Sequence, residues 1–219
     1  MNRSLIALAA FSILLSSCKT TSTLPKYQLG SDYYTFRQSG LKPKKVFVEV
    51  DEDSVKVIPV DKSSLVIDQS KDRLFTHPSF DVDIMVTLFK YRPATQNLPR
   101  QLNTDFSGNV YVGYRLDRFR VRTIETPAGR RKKIQHKAVT LGAFGGLGST
   151  SISPWTTNQA TTDEYNGLVL CRGIALMFGV NSLTVGIGVG KDYLTDRDKD
   201  IWIYQNKPWY GLTLSVNIN

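Results

Sequence analysis

Few residues in this chain could carry reaction chemistry. His77 and His136 are its two histidines, and they stand far apart in sequence. A hydrolase would need one of them beside a serine nucleophile and oriented by a carboxylate. His136 falls beside a strongly cationic turn, and the sequence suggests no pairing of base and orienting carboxylate around it. There is no His-Glu-x-x-His, no Cys-x-x-Cys and no Walker loop. Gly142 to Gly148 is glycine-rich, but it sits inside an alternating apolar pattern and lacks a Lys-Ser or Lys-Thr end. Close backbone packing or a narrow lumen suits it better than phosphate binding. The sequence thus suggests no catalytic residue, no metal ligand and no cofactor. Asp81 and Asp83 face away from the apolar side of their segment. They suit an internal salt bridge with Arg115 or, as the sharper alternative, a proton or ion path. Cys171 suits inert packing.

The strongest local signal is charge. Arg118, Arg120, Arg122, Arg130, Arg131, Lys132, Lys133 and Lys137 crowd one hairpin, with only Asp117 and Glu125 nearby. Such a hairpin is either a solvated turn or a contact for anionic lipid heads or an acidic periplasmic protein. Aromatic residues are sparse in it, which argues against nucleic acid. The whole chain has 28 basic and 19 acidic residues, a net charge of +9.

Strands must position these residues. Leu183, Val185, Ile187 and Val189 alternate with Thr184, Gly186, Gly188 and Gly190, and Leu212, Leu214, Val216 and Ile218 alternate with Thr213, Ser215, Asn217 and Asn219. A period of two with one apolar and one small or polar face fits a barrel with lipid outside and a narrow polar lumen inside. Val82, Ile84, Val86 and Leu88 form another such face. So do Val110, Val112, Tyr114 and Leu116, and Val139, Leu141, Ala143, Gly145 and Leu147. The alternation inverts near Asp117, where Phe119 and Val121 become the apolar members, which implies a bulge or the end of the buried section. Leu168 to Val180 reads as another strand, with Arg172 on its apolar face either snorkelling or sitting within the protein. Long polar connections (93–108, 151–166, 192–208) alternate with short ones at Pro127-Ala128-Gly129 and Asn181-Ser182, as in outer-membrane barrels. Six strands are clear. A hairpin over Val46–Val57 would bring an antiparallel up-and-down β-barrel to about eight, and Leu65-Val66-Ile67 reads as a further short strand. Tyr91, Trp209 and Tyr210 fit an interfacial aromatic girdle.

The N-terminus has a positive start at Met1-Asn2-Arg3, an apolar run from Leu5 to Leu15, and then Leu15-Ser16-Ser17-Cys18. This resembles the bacterial lipobox, which implies cleavage before Cys18 and a diacylglycerol on its thiol. Loss of residues 1–17 removes Arg3 and leaves a net charge of about +8. Residues 18–43 read as a tether, 44–68 as an N-terminal hairpin that supplies either the first barrel strands or a small periplasmic sheet, and 80–219 as the barrel. The runs Asp200-Ile201-Trp202-Ile203-Tyr204, Asn206-Lys207-Pro208-Trp209-Tyr210-Gly211-Leu212 and Gly186-Ile187-Gly188-Val189-Gly190 resemble small outer-membrane barrel proteins of Bacteroidota. The resemblance implies a lipid-anchored outer-membrane protein with a structural or interaction role, its two termini periplasmic and outer-membrane lipid as its first partner. The alternative is a periplasm-facing lipoprotein whose barrel or sandwich binds an apolar ligand.

Overall fold

The computed structural model describes residues 26–51, 54–61, 63–68, 70–95, 98–127, 129–181 and 183–217. The signal segment and Cys18 lie outside the described residues. Among those residues the chain is all-β and antiparallel, with ten strands in one sheet and no α-helix. The strands are β1 (Asp32–Gln38), β2 (Lys44–Asp51), β3 (Ser54–Pro59), β4 (Arg73–Arg92), β5 (Gln101–Asn103), β6 (Ser107–Thr126), β7 (Gly129–Ile152), β8 (Tyr165–Val180), β9 (Leu183–Leu194) and β10 (Pro208–Asn217).

Six of them close into a barrel-like ring, β4–β6–β7–β8–β9–β10, because β10 returns to pair with β4 over Asp83–Tyr91. Paired positions lead around this ring from Phe80 through Tyr114, Leu141, Leu176, Ile187 and Leu212 to Phe89. The path returns to β4 displaced along the strand, so the strands are strongly staggered and tilted. The hairpin over Val46–Val57 forms, as β2–β3, but it does not enter the ring. β1 takes the lower edge of β4 at Arg73–Thr76, and β2 and β3 follow on its free side. The ring therefore has six strands rather than eight. β1 itself arises inside the stretch expected as a tether, where Tyr34, Phe36 and Gln38 turn to the buried side. Leu65-Val66-Ile67 is not a strand. Leu65 and Ile67 pack on the lower core while Val66 is exposed.

The inversion near Asp117 involves no bulge. β6 keeps continuous register with β4 from Gly108 to Val121 and with β7 from Ser107 to Thr126. Its even-numbered residues point outward throughout, as Val110, Val112, Tyr114, Leu116, Arg118, Arg120 and Arg122. What reverses is the chemistry of the two faces. Above Leu116 the outside is apolar and the inside carries Asn109 and Arg115, with Asp117 on the inner face at the crossover. Below it the outside is cationic, while Phe119 and Val121 join a buried cluster with Tyr34, Phe36, Val46, Val48 and Phe75. β7 repeats this between Lys137 and Val139. The one register shift in the ring lies on β4, where Leu212 pairs with Phe89 and Thr213 with Thr87. The extra residue leaves both Leu88 and Phe89 outside and turns Lys90 and Arg92 inward.

The ring is narrow, and glycines make room inside it. A Cβ on Gly190 would stand 2.4 Å from Cζ2 of Trp209, and one on Gly173 would stand 2.6 Å from Cζ of Phe144. Large inner side chains thus lie over bare positions of neighbouring strands. A Cβ on Gly142 would meet the carbonyl oxygen of Val112 at 2.2 Å. The glycine-rich stretch of β7 is the close backbone approach its pattern implies.

Candidate functional site

The interior of the ring is layered. At the loop end, Asp192 on β9 accepts from Lys90 Nζ at 3.0 Å, Arg92 Nη2 at 2.5 Å and Trp209 Nε1 at 2.9 Å. Cys171 Sγ lies 3.4 Å from Lys90 Nζ and 3.1 Å from Ser107 Oγ, buried among these groups. A buried pair of this kind repays its desolvation only when most of its hydrogen bonds are made. Below this layer Met85, Tyr111, Phe144, Ala175, Met177 and Trp209 form an apolar cluster across the lumen. It separates the loop-end charges from a second polar layer at the opposite end.

In that lower layer Arg115 donates from Nη1 to both oxygens of Asp81 at 3.2 Å and from Nε to Asp117 at 2.9 Å. The internal salt bridge expected for Arg115 is present. His136 Nε2 lies 2.6 Å from Asp117 Oδ1, its ring stacks on Phe119, and Ser215 Oγ donates to Asp83 at 2.6 Å. The Ser79 hydroxyl reaches Asp117 at 3.4 Å, not His136. The carboxylate thus stands between hydroxyl and imidazole, an order that gives the serine no base. Lys26 Nζ reaches the Phe80 carbonyl at 2.8 Å and Asp81 at 3.4 Å, beside the stretch of β4 between its pairings with β1 and β10. No group of three or more His, Cys, Asp or Glu side chains among the described residues could hold a metal.

The cationic residues are exposed, and strand alternation sorts them. Arg118, Arg120 and Arg122 share the outer face of β6, and Lys137 and Lys133 stand directly opposite Arg118 and Arg122 on β7. Arg131 continues this face toward the tip. Arg130 and Lys132 point to the other side, and Arg130 Nε lies 3.4 Å from Glu125. Asp72 receives Arg122 Nε at 2.9 Å and lies 3.8 Å from Arg120 Nε. Such exposed pairs contribute about 0–1 kcal/mol each and leave the face strongly positive. The sheet adds two cations that local sequence did not reveal. Arg37 on β1 and Lys45 on β2 lie in the same cross-strand rows as Arg120 and Arg118, through Leu74 in one row and through Thr35 and Thr76 in the other. The alternation of Tyr34, Phe36 and Gln38 was the sequence signal for β1.

This cationic face continues directly beneath the outer apolar band. That band ends at the opposite, loop-bearing end in exposed Tyr91, Phe106, Tyr193 and Tyr210. Trp209 is not part of this girdle. The alternation of β10 turns it inward, where it is fully buried against Asp192 and Phe144. Arg172, on the outer face, reaches Asn206 at 3.3 Å toward the loops. The three long connections lie together at this end. The second and third are tied by a bond from the Ile203 amide to the Thr156 carbonyl, by Tyr165 Oη donating to Asp198 at 2.9 Å, and by the Arg197–Asp163 pair, while Pro93, Ala94 and Thr95 of the first line a cavity with residues of the third. No known protein family, curated protein or solved structure matches the chain.

Proposed function

We propose that the chain is a lipid-anchored protein of the bacterial outer membrane, with a structural or interaction role in the envelope. The six-strand ring spans the bilayer, the long loops face outward, and the lower sheet and both termini are periplasmic. The observation that carries this reading is the reversal of both faces at Leu116–Arg118 and Lys137–Val139. Outside the ring, Ile174 and Ile187 are 60% exposed and Leu141 is 61% exposed. Inside it, charged side chains are buried. A water-soluble β-protein buries its apolar face, whereas a membrane barrel turns it to lipid. At a tilt of about 45°, the stretch of β4 from Phe80 to Tyr91 stands roughly 25 Å tall, the height of an outer-membrane apolar band. The alternative, an apolar ligand held inside, needs an apolar interior wide enough for it, and the narrow, charge-lined lumen does not favour it.

Three experiments bear on this reading. Folded protein should fractionate with outer membranes and migrate differently on gels before and after heating, and Cys18→Ala should no longer take up labelled fatty acid. Label retained by that variant would refute the anchor. Arg118, Arg120, Arg122, Lys133 and Lys137 lie where inner-leaflet headgroups would begin. Each Lys or Arg near an anionic surface contributes about 1 kcal/mol, weakened by salt. Changing all five to Glu should abolish salt-sensitive binding of the folded protein to added phosphatidylglycerol vesicles. Binding that survives the change would make the face a solvated surface.

A further inference from the structure

We propose that Arg92, Trp202 and Tyr204 form an oxyanion-binding site beneath the loops at the outer end of the ring. The guanidinium of Arg92 stacks near two rings, 5.2 Å from the centroid of Trp202 and 4.9 Å from that of Tyr204. Arg92 is 1% exposed, and Trp202 and Tyr204 are each 3% exposed. Arg92 uses only Nη2 on Asp192. Among the described residues, its Nε and Nη1, the indole Nε1 of Trp202 and the phenol oxygen of Tyr204 have no hydrogen-bond partner. Four buried polar atoms on three touching side chains therefore stand unmet, and each of them can donate. Leaving such groups unsatisfied costs about 1–3 kcal/mol apiece, more for a charged one, so a ligand rich in acceptors gains from binding here.

Charge points to an anion. Lys90 and Arg92 supply two buried cations, and Asp192 alone answers them. The Cys171 thiol beside them adds a neutral neighbour. Trp202 and Tyr204 also line a cavity of about 720 Å³, together with Pro93, Thr95, Gln205 and Lys207. Asp200 also lines it and offsets Lys207, so the net positive charge belongs to the buried pair. The ligand this chemistry recognises is a phosphate or carboxylate group that enters between the loops, either as a free ion or as the head of an outer-leaflet lipid. The site stands on its own geometry and does not require that the ring span a membrane.

The test is calorimetric titration of the purified full-length protein in neutral detergent micelles. The probes are inorganic phosphate, acetate, and micelles doped with phosphatidic acid. Saturable binding of phosphate or acetate supports a site for free anions, and binding of phosphatidic acid alone supports a headgroup site. Absence of saturable binding by all three overturns the proposal. Arg92→Gln would also disturb Asp192, so the decisive variant is Trp202→Phe with Tyr204→Phe, which keeps an aromatic ring at each position and removes two donors. With the heat-shifted gel mobility unchanged, its affinity should fall at least about tenfold. Unchanged affinity in that variant overturns the site.

Discussion

Asp192→Ala should destabilise the folded ring by about 3–5 kcal/mol, the cost of removing one partner from a buried ionic cluster. Asp192 is fully buried and is the shared acceptor for Lys90, Arg92 and Trp209. Its removal strands two cations in a lumen closed on one side by the apolar cluster of Met85, Tyr111, Phe144 and Met177. Asp192→Asn keeps an acceptor for the indole but loses the charge, so it should cost most of the same amount. Adding Lys90→Met to Asp192→Asn restores the native excess of one cation and should recover part of the loss, a coupling of about 0.5–3 kcal/mol. Urea titration of micelle-embedded protein, followed by the heat-shifted gel band, measures all three. Stability unchanged in Asp192→Ala would mean that the cluster is hydrated rather than sealed.

Arginine at Ile174 or Ile187 should cost about 2–4 kcal/mol each in a lipid bilayer, the penalty for a cation on a lipid face near the midplane. Both side chains sit midway along the apolar band, and both point away from the lumen. The same change on a water-facing surface falls within about 0.5 kcal/mol of neutral. Gln135→Arg, on the outer face of β7 below the band, is the internal control and should cost almost nothing. Refolding into vesicles and titrating with denaturant compares the three variants directly. Equal, small effects at all three positions would mean that the apolar face meets water or protein instead of lipid.

Much of the ring was legible in sequence because each strand obeys a period of two over its full length. Leu183–Val189 and Val139–Leu147 face outward as their alternation implies, and the pairing of Asp81 with Arg115 follows from their shared inner face. The inversion at Asp117 was visible too, but sequence alone does not separate a bulge from an unbroken strand whose two faces exchange chemistry. Continuous pairing through Arg118–Lys137 and Phe119–His136 separates them. The real bulge, at Leu88–Phe89, was hidden because both residues are apolar and each fits an outward position. It determines the loop-end cluster, since without it Lys90 and Arg92 would point outward. Trp209 was misplaced for a related reason. An aromatic residue beside a loop suits a girdle or a plug equally well, and the alternation of β10 continued back past Tyr210 is what turns it inward, over Gly190. The lower sheet was least legible. Its cationic face gathers Arg37 and Lys45 from strands distant in sequence from Arg118, and that adjacency comes from how β4 divides its edge between β1 and β10.

If the ring spans a bilayer, its outer surface changes solvent between Lys137 and Val139. Spin labels placed one at a time along the outer face of β7, at Lys133, Lys137, Val139, Leu141, Ala143 and Leu147, read this directly in a Cys171→Ser background reconstituted into vesicles. Accessibility to dissolved oxygen should exceed that to a water-soluble nickel chelate at Val139, Leu141, Ala143 and Leu147. It should reverse at Lys133 and Lys137, with the crossover between 137 and 139. Nickel accessibility that stays high along the whole strand would contradict a membrane-spanning ring.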